Sequence, residues 1–314
     1  MKLSTALIFF FLVFQSAEDW SVYETEHFRV YYKPGSETLL KNIAPRLEPE
    51  LSRISELLEA SPPGPIKLVI APDPRSFIEM QGGDISPWVS GRAYPSQSTI
   101  MVRPLRGREI RHSSINGVIS HEIAHIVLHH KQGKHSPPKW VDEGVAVFMG
   151  SEPFWSRSER LMPIALTGKY IPFHSLRHSF PRGPDGASTA YAQSGSFVNF
   201  LYNEYGAESF LEFLERLSAG EDHDQALQAS FQLPLSRLED KWLSEVKKSY
   251  WLVAVFSGGG LLWFFISLLF IIAYLKKKRQ TRERRRLLDA GDTGHNYQAS
   301  REKTFSEDED FYYH

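Results

Sequence analysis

His121-Glu122-Ile123-Ala124-His125 sets two imidazoles four residues apart. On a helix that spacing brings both rings to one face, close enough to hold one metal ion. The carboxylate of Glu122, beside the first histidine, is then placed to take a proton from a metal-activated water. The chemistry this predicts is zinc-dependent hydrolysis, with a peptide bond as the first substrate to consider. Chance is a weak rival: a random chain with 12 histidines in 314 residues shows the pattern about 0.04 times.

The helix that must carry these residues reads INGVISHEIAHIVL from Ile115 to Leu128. It is apolar almost all round, as a helix in the core of a domain is. Three ionisable side chains on such a helix are costly unless they are paired or bind a metal. A catalytic zinc also needs a third protein ligand and one open position. A histidine six residues after the second, with a glycine between, is excluded: Leu128 and Lys131 occupy those places. A glutamate from the next helix is the other common source, and Trp140-Val141-Asp142-Glu143-Gly144 lies one loop away. His129 follows His125 by one turn on the same face and, with His130, reads as a solvated helix end. His135, His174 and His178 fall in predicted loops.

HEIAH followed by PKWVDEGVAVFMG resembles the gluzincin metallopeptidases, and most closely the bacterial peptidase MA-like domains. YAQSGSFVNFLYNEYG (Tyr191–Gly206) resembles their C-terminal helix, and WSVYETEHFRVYY their first hairpin. The resemblance implies an α+β, thermolysin-like zincin fold with an N-terminal mixed-sheet lobe and a C-terminal helical lobe. It implies Zn2+ on His121, His125 and Glu143, with Glu122 as general base. It offers Tyr191 as a catalytic group that stabilises the oxyanion; the alternative for Tyr191 is a packed aromatic at a helix start. One departure stands out. Where some gluzincins carry an acidic residue to orient a zinc histidine, this chain has Val147, so the orienting partner is open. Asp142 neighbours Glu143, but successive helix residues diverge by about 100°, so Asp142 is expected to face away from the metal.

The elements that must position the site read as follows. Trp20–Tyr23 and Phe28–Tyr32 are strands. Ser36–Leu58 is a long helix, kinked or broken by Pro45 and Pro49. Ile66–Ala71 is a buried strand, and Pro74–Met80 a short helix. Trp88–Tyr94 and Thr99–Val102 pair around the turn Pro95–Ser98. By analogy, Thr99–Arg103 is the edge strand to which a peptide would add. Helices follow at Lys139–Met149, near Ala190–Tyr205 and near Ala207–Leu217, with short ones toward Trp242. Gly168–Ser188 reads as a long loop.

Composition sets the remaining bounds. A net charge of −1 implies no nucleic-acid partner, and the absence of cysteine removes thiol nucleophiles, disulfides and cysteine-type zinc sites. Residues 1–17, with Lys2 before the apolar run Ala6–Phe14 and then Ser16-Ala17, read as a signal peptide. Residues 18–249 form the expected exported zinc domain. Tyr250–Tyr274, free of charge, is expected to cross a lipid bilayer as one helix. Residues 275–314 begin with eight lysines and arginines between Lys276 and Arg286 and read as a disordered cytoplasmic tail. The expected molecule is a single-pass membrane protein with its catalytic domain outside the cytoplasm and a peptide or protein as substrate; its oligomeric state is open. A binding or assembly module on a peptidase-like scaffold is the second reading. An intramembrane protease is set aside, because the motif lies far from the one apolar span.

Overall fold

Alternation and helical spacing resolve the first hundred residues into one sheet and the helix packed on it. The structure, a computed structural model, describes residues 20–83, 89–105, 114–150, 155–256 and 263–286. Strands β1 (Ser21–Glu24) and β2 (Phe28–Tyr32) form an antiparallel hairpin, in which Phe28 and Val30 are buried and Arg29 is exposed. Helix α1 (Glu37–Leu58) buries Leu40, Ile43, Leu47, Leu51, Ile54 and Leu58, one stripe at steps of three and four. It runs through both Pro45 and Pro49, so the expected break does not divide it. Strand β3 (Ile66–Ile70) pairs parallel to β2. Helix α2 (Pro74–Glu79) follows, capped by Asp73, whose side chain accepts from the amides of Arg75 and Ser76.

Strands β4 (Gly91–Tyr94) and β5 (Thr99–Val102) form the expected antiparallel pair. The sheet order is β1-β2-β3-β5-β4. This corrects the expected edge strand. Thr99–Val102 is bonded on both sides, to β3 and to β4, and buried along its whole length, so it has no free edge for a peptide. The strand at that side of the sheet is β4.

Helix α3 (Ile115–Gln132) starts at Ser114, whose hydroxyl caps the amide of Gly117 at 2.9 Å, and stops at Gly133, which has φ 61°. Helix α4 (Lys139–Met149) follows the Pro137-Pro138 turn. Helix α5 (Trp155–Thr167) was not anticipated. Helix α6 (Pro184–Ser218) is interrupted at Gly206, with φ 85° and ψ 164°, where the sequence separates two helices. Helices α7 (His223–Phe231) and α8 (Leu235–Phe256) complete the order.

The segment between α5 and α6 is shorter than the expected loop and is pinned. Gln193 accepts from the Ile171 amide at 3.0 Å and donates to its carbonyl at 2.5 Å, while Glu239 accepts from the Phe173 amide at 2.8 Å. Below α4, Trp140 is fully buried among Phe173, Phe197 and Phe213, and its indole N–H donates to His223 at 3.2 Å. Helices α4 and α6 approach closely at glycines: a Cβ on Gly144 would sit 2.8 Å from the Ser194 carbonyl, and one on Gly195 would strike Val147.

The chain divides into two units, Met1–Lys248 and Ser249–His314. The expected α+β molecule with a membrane-spanning helix is corrected here. Among the described residues the chain is mostly helical with one small sheet, and no helix there is long and apolar enough to cross a membrane. Tyr250–Phe256 continues α8, which carries Arg237, Glu239, Asp240, Lys241, Glu245, Lys247 and Lys248. The centre of the expected span, residues 257–262, lies outside the described residues, as do the expected signal peptide at 1–17 and the tail beyond 286.

Candidate metal centre

Three elements converge on the motif. Helix α3 brings His121, Glu122 and His125, α4 brings Asp142 and Glu143, and the start of α6 brings Tyr191. Behind them, α1 ties the two helices together. Ser120 Oγ lies 3.0 Å from Glu50 Oε2, and Arg53 donates to that same oxygen at 2.7 Å and to the Met149 carbonyl at 2.5 Å.

His121 Nε2 and His125 Nε2 lie 3.2 Å apart, and Glu143 Oε2 is 3.5 Å from the first and 3.4 Å from the second. The three atoms make a nearly equilateral triangle. Zinc with bonds of about 2.0–2.1 Å in a tetrahedron requires ligand atoms about 3.3–3.4 Å apart, so the triangle has the right size. Among the described residues these three form the one group of histidines and carboxylates that could hold a metal ion. The electrostatics agree. His125 Nδ1 lies 2.8 Å from Asp142 Oδ1. Donating there leaves the lone pair of the neutral ring on Nε2. Glu143 Oε2 is buried and has no hydrogen-bond donor. Acceptors converging at this distance in a buried site repel unless a cation sits among them.

The ionisation of the site follows from these contacts. Burial raises the carboxyl of Glu143, but His125, His121 and Lys139 outweigh it and hold the group well below the usual carboxylate range. Burial lowers His125, and the Asp142 and Glu143 carboxylates more than reverse this, so the ring is held well above the usual imidazole range. Burial raises Glu122, against the pull of both imidazoles and of the Ala93 amide, which donates to its carboxylate. That amide belongs to β4, which lies directly over α3. A Cβ on Gly91 would meet Val118 at 2.5 Å and Glu122 Oε1 at 2.8 Å.

The structure therefore assembles His121, Glu122, His125, Glu143 and Tyr191 in one place. The Tyr191 hydroxyl donates to Glu143 Oε1 at 3.3 Å, and its ring meets Phe180 edge-on. The sequence argument missed two residues. Asp142 stays out of the metal triangle, as expected, yet it grips the other edge of the His125 ring. Lys139 places its ammonium 2.5 Å from Glu143 Oε1 and 3.5 Å from Asp142 Oδ2. The histidine row stops at His125: His130 Nε2 meets Ser98 Oγ at 3.2 Å, and His129 packs its ring against that of His130. His135 and His178 line a cavity of about 700 Å³ with Lys139 and Asp142, whereas exposed His174 does not.

A model of the Peptidase MA superfamily matches residues 48–248, and the chain belongs to that superfamily. No curated protein matches it by sequence. Among solved structures, it is similar to a mutant two-domain M1 zinc metallopeptidase bound to L-arginine, with 12% identity and a TM-score of 0.41. That match covers 73% of this chain and 51% of the other, so this chain spans about half of that protein's length.

Proposed function

We propose that the chain is a zinc-dependent peptidase whose metal is held by His121, His125 and Glu143. The observation that carries this is the triangle of Nε2, Nε2 and Oε2, sized for zinc, with a buried carboxylate oxygen that has no donor at one corner. Zinc held by these three residues would supply Lewis acidity, lowering the pKa of a water toward about 7 and polarising the scissile carbonyl. The rest is done by side chains. Glu122 takes the proton of the attacking water and delivers it to the leaving amine nitrogen. Asp142 keeps His125 in the tautomer and orientation a ligand needs. The hydroxyl of Tyr191, which reaches the ligand carboxylate, is a donor that could turn to an oxyanion formed there.

The test is a peptide-library digest with the full chain, wild type against Glu122→Gln, with zinc measured in both. The expected result is loss of hydrolysis by at least about 1,000-fold with zinc retained. Undiminished hydrolysis in Glu122→Gln contradicts the mechanism. In the same digest, an unchanged rate for Tyr191→Phe removes Tyr191 from the catalytic set. A wild type that holds zinc and cleaves nothing favours the second reading, a binding module on the same scaffold.

A further inference from the structure

Lys139 has no place in the chemistry above, and its position works against it. Its ammonium lies 2.5 Å from a carboxylate oxygen of Glu143, beside the spot a divalent cation would occupy. Like charges so close repel. The partners of Glu143 show what the charge does instead. Oε1 is taken twice, by Lys139 Nζ at 2.5 Å and by the Tyr191 hydroxyl at 3.3 Å. Oε2 has no donor and faces both imidazoles, at 3.5 and 3.4 Å. A carboxylate with both oxygens free can bind a metal through both and fill two positions. With Oε1 held away, one oxygen remains for the metal. A catalytic zinc needs that economy, because its fourth position must stay open.

Lys139 is itself well placed to act this way. It is the first residue of α4, one turn before Glu143, and its amide donates to the Arg177 carbonyl at 2.7 Å, fixing where its stem begins. Its Nζ also lies 3.5 Å from Asp142 Oδ2, and Asp142 Oδ1 grips His125. One ammonium thus bears on the carboxylate that is a ligand and on the carboxylate that orients a ligand.

We propose that Lys139 is a positioning residue that holds Glu143 to one-oxygen ligation and so keeps the fourth metal position free. The proposal rests on the zinc reading of the site. Cobalt(II) substituted into the full chain tests it, because its visible bands weaken when four-coordinate metal becomes five-coordinate. In Lys139→Met the bands of the bound ion should weaken severalfold. Cobalt should be held at least as tightly as in wild type, measured by competition with a chelator, since a repelling charge has gone and an oxygen has been gained. kcat should fall about 10- to 100-fold with little change in KM. Lys139→Arg, which keeps the charge, should show bands of wild-type shape and carries the test if the methionine variant does not fold. A merely structural lysine would instead weaken cobalt binding and leave the bands of the remaining bound ion unaltered. That outcome, or wild-type bands and kcat in Lys139→Met, overturns the proposal. Wild-type protein that takes up no cobalt overturns the zinc reading itself, and this is read without any variant.

Discussion

At the scale of single residues, the site depends on how one imidazole is held from two sides. Asp142 reaches Nδ1 of His125 at 2.8 Å, while Glu143 lies 3.4 Å from Nε2. The sequence argument sent these neighbours to different faces of α4 because adjacent helix positions diverge by about 100°. The divergence is real, but the two nitrogens of one ring face opposite ways, so diverging carboxylates can grip its two edges. His121, Glu122, His125 and Glu143 were legible as a cluster because spacing along helices brings them together. Asp142 and Lys139 were not, because their roles depend on how α3 and α4 face each other. Asp142→Ala should therefore weaken zinc binding by about 10- to 100-fold, as loss of an orienting partner does. Chelator competition measures it, and unchanged affinity would remove Asp142 from the site.

At the scale of elements, close approach is what brings the ligands together. Helix α4 can meet α6 only because position 144 has no side chain, with the Ser194 carbonyl 2.8 Å from where a Cβ would lie. Gly144→Ala should push α4 off α6 and cost about 1–3 kcal/mol of stability. Because Glu143 moves with the helix, zinc affinity should fall in the same variant. A thermal melt and a zinc titration check the two effects, and an alanine variant with both unchanged would contradict the packing account. The β1–β2 turn is tied to α1 by a different device. Glu48 accepts from the Thr25 hydroxyl at 2.5 Å and from the His27 amide at 2.8 Å, and meets the His27 ring at 2.8 Å. Burial raises its carboxyl, but these bonds outweigh burial and lower it below its ordinary 4.5. A group lowered on folding adds stability above its unfolded pKa and loses it as pH falls through the folded value. The stability gap between wild type and Glu48→Gln should hold near neutrality and close in acid, below about pH 4.5. Melts across pH test this, and a gap that widened in acid would reverse the sign.

At the scale of the whole molecule, what could be read from the sequence depended on how far the decisive contacts reach. The β1–β2 hairpin, the α1 stripe, the β4–β5 pair and the break at Gly206 are local patterns, and each appears in the structure. The assignment of Thr99–Val102 to the edge failed because strand order is set by pairing between distant segments: β3 inserts beside β5 and leaves β4 outermost. The uncharged run at Tyr250–Tyr274 looked continuous in one dimension. In the structure its first residues, Tyr250–Phe256, extend a helix that carries seven charged residues between Arg237 and Lys248 and buries Leu238, Trp242 and Val246. Around the site, the aromatic core anchored by Trp140 holds α4 against α6 from below, while β4 covers Glu122 from above. The two halves of the domain thus share the load of placing the candidate metal centre. Elemental analysis of the full chain, purified without chelator, tests the central claim most directly. The account predicts one zinc per chain in wild type and loss of that zinc in Glu143→Ala. Wild-type protein without metal, or zinc retained in full by Glu143→Ala, would contradict it.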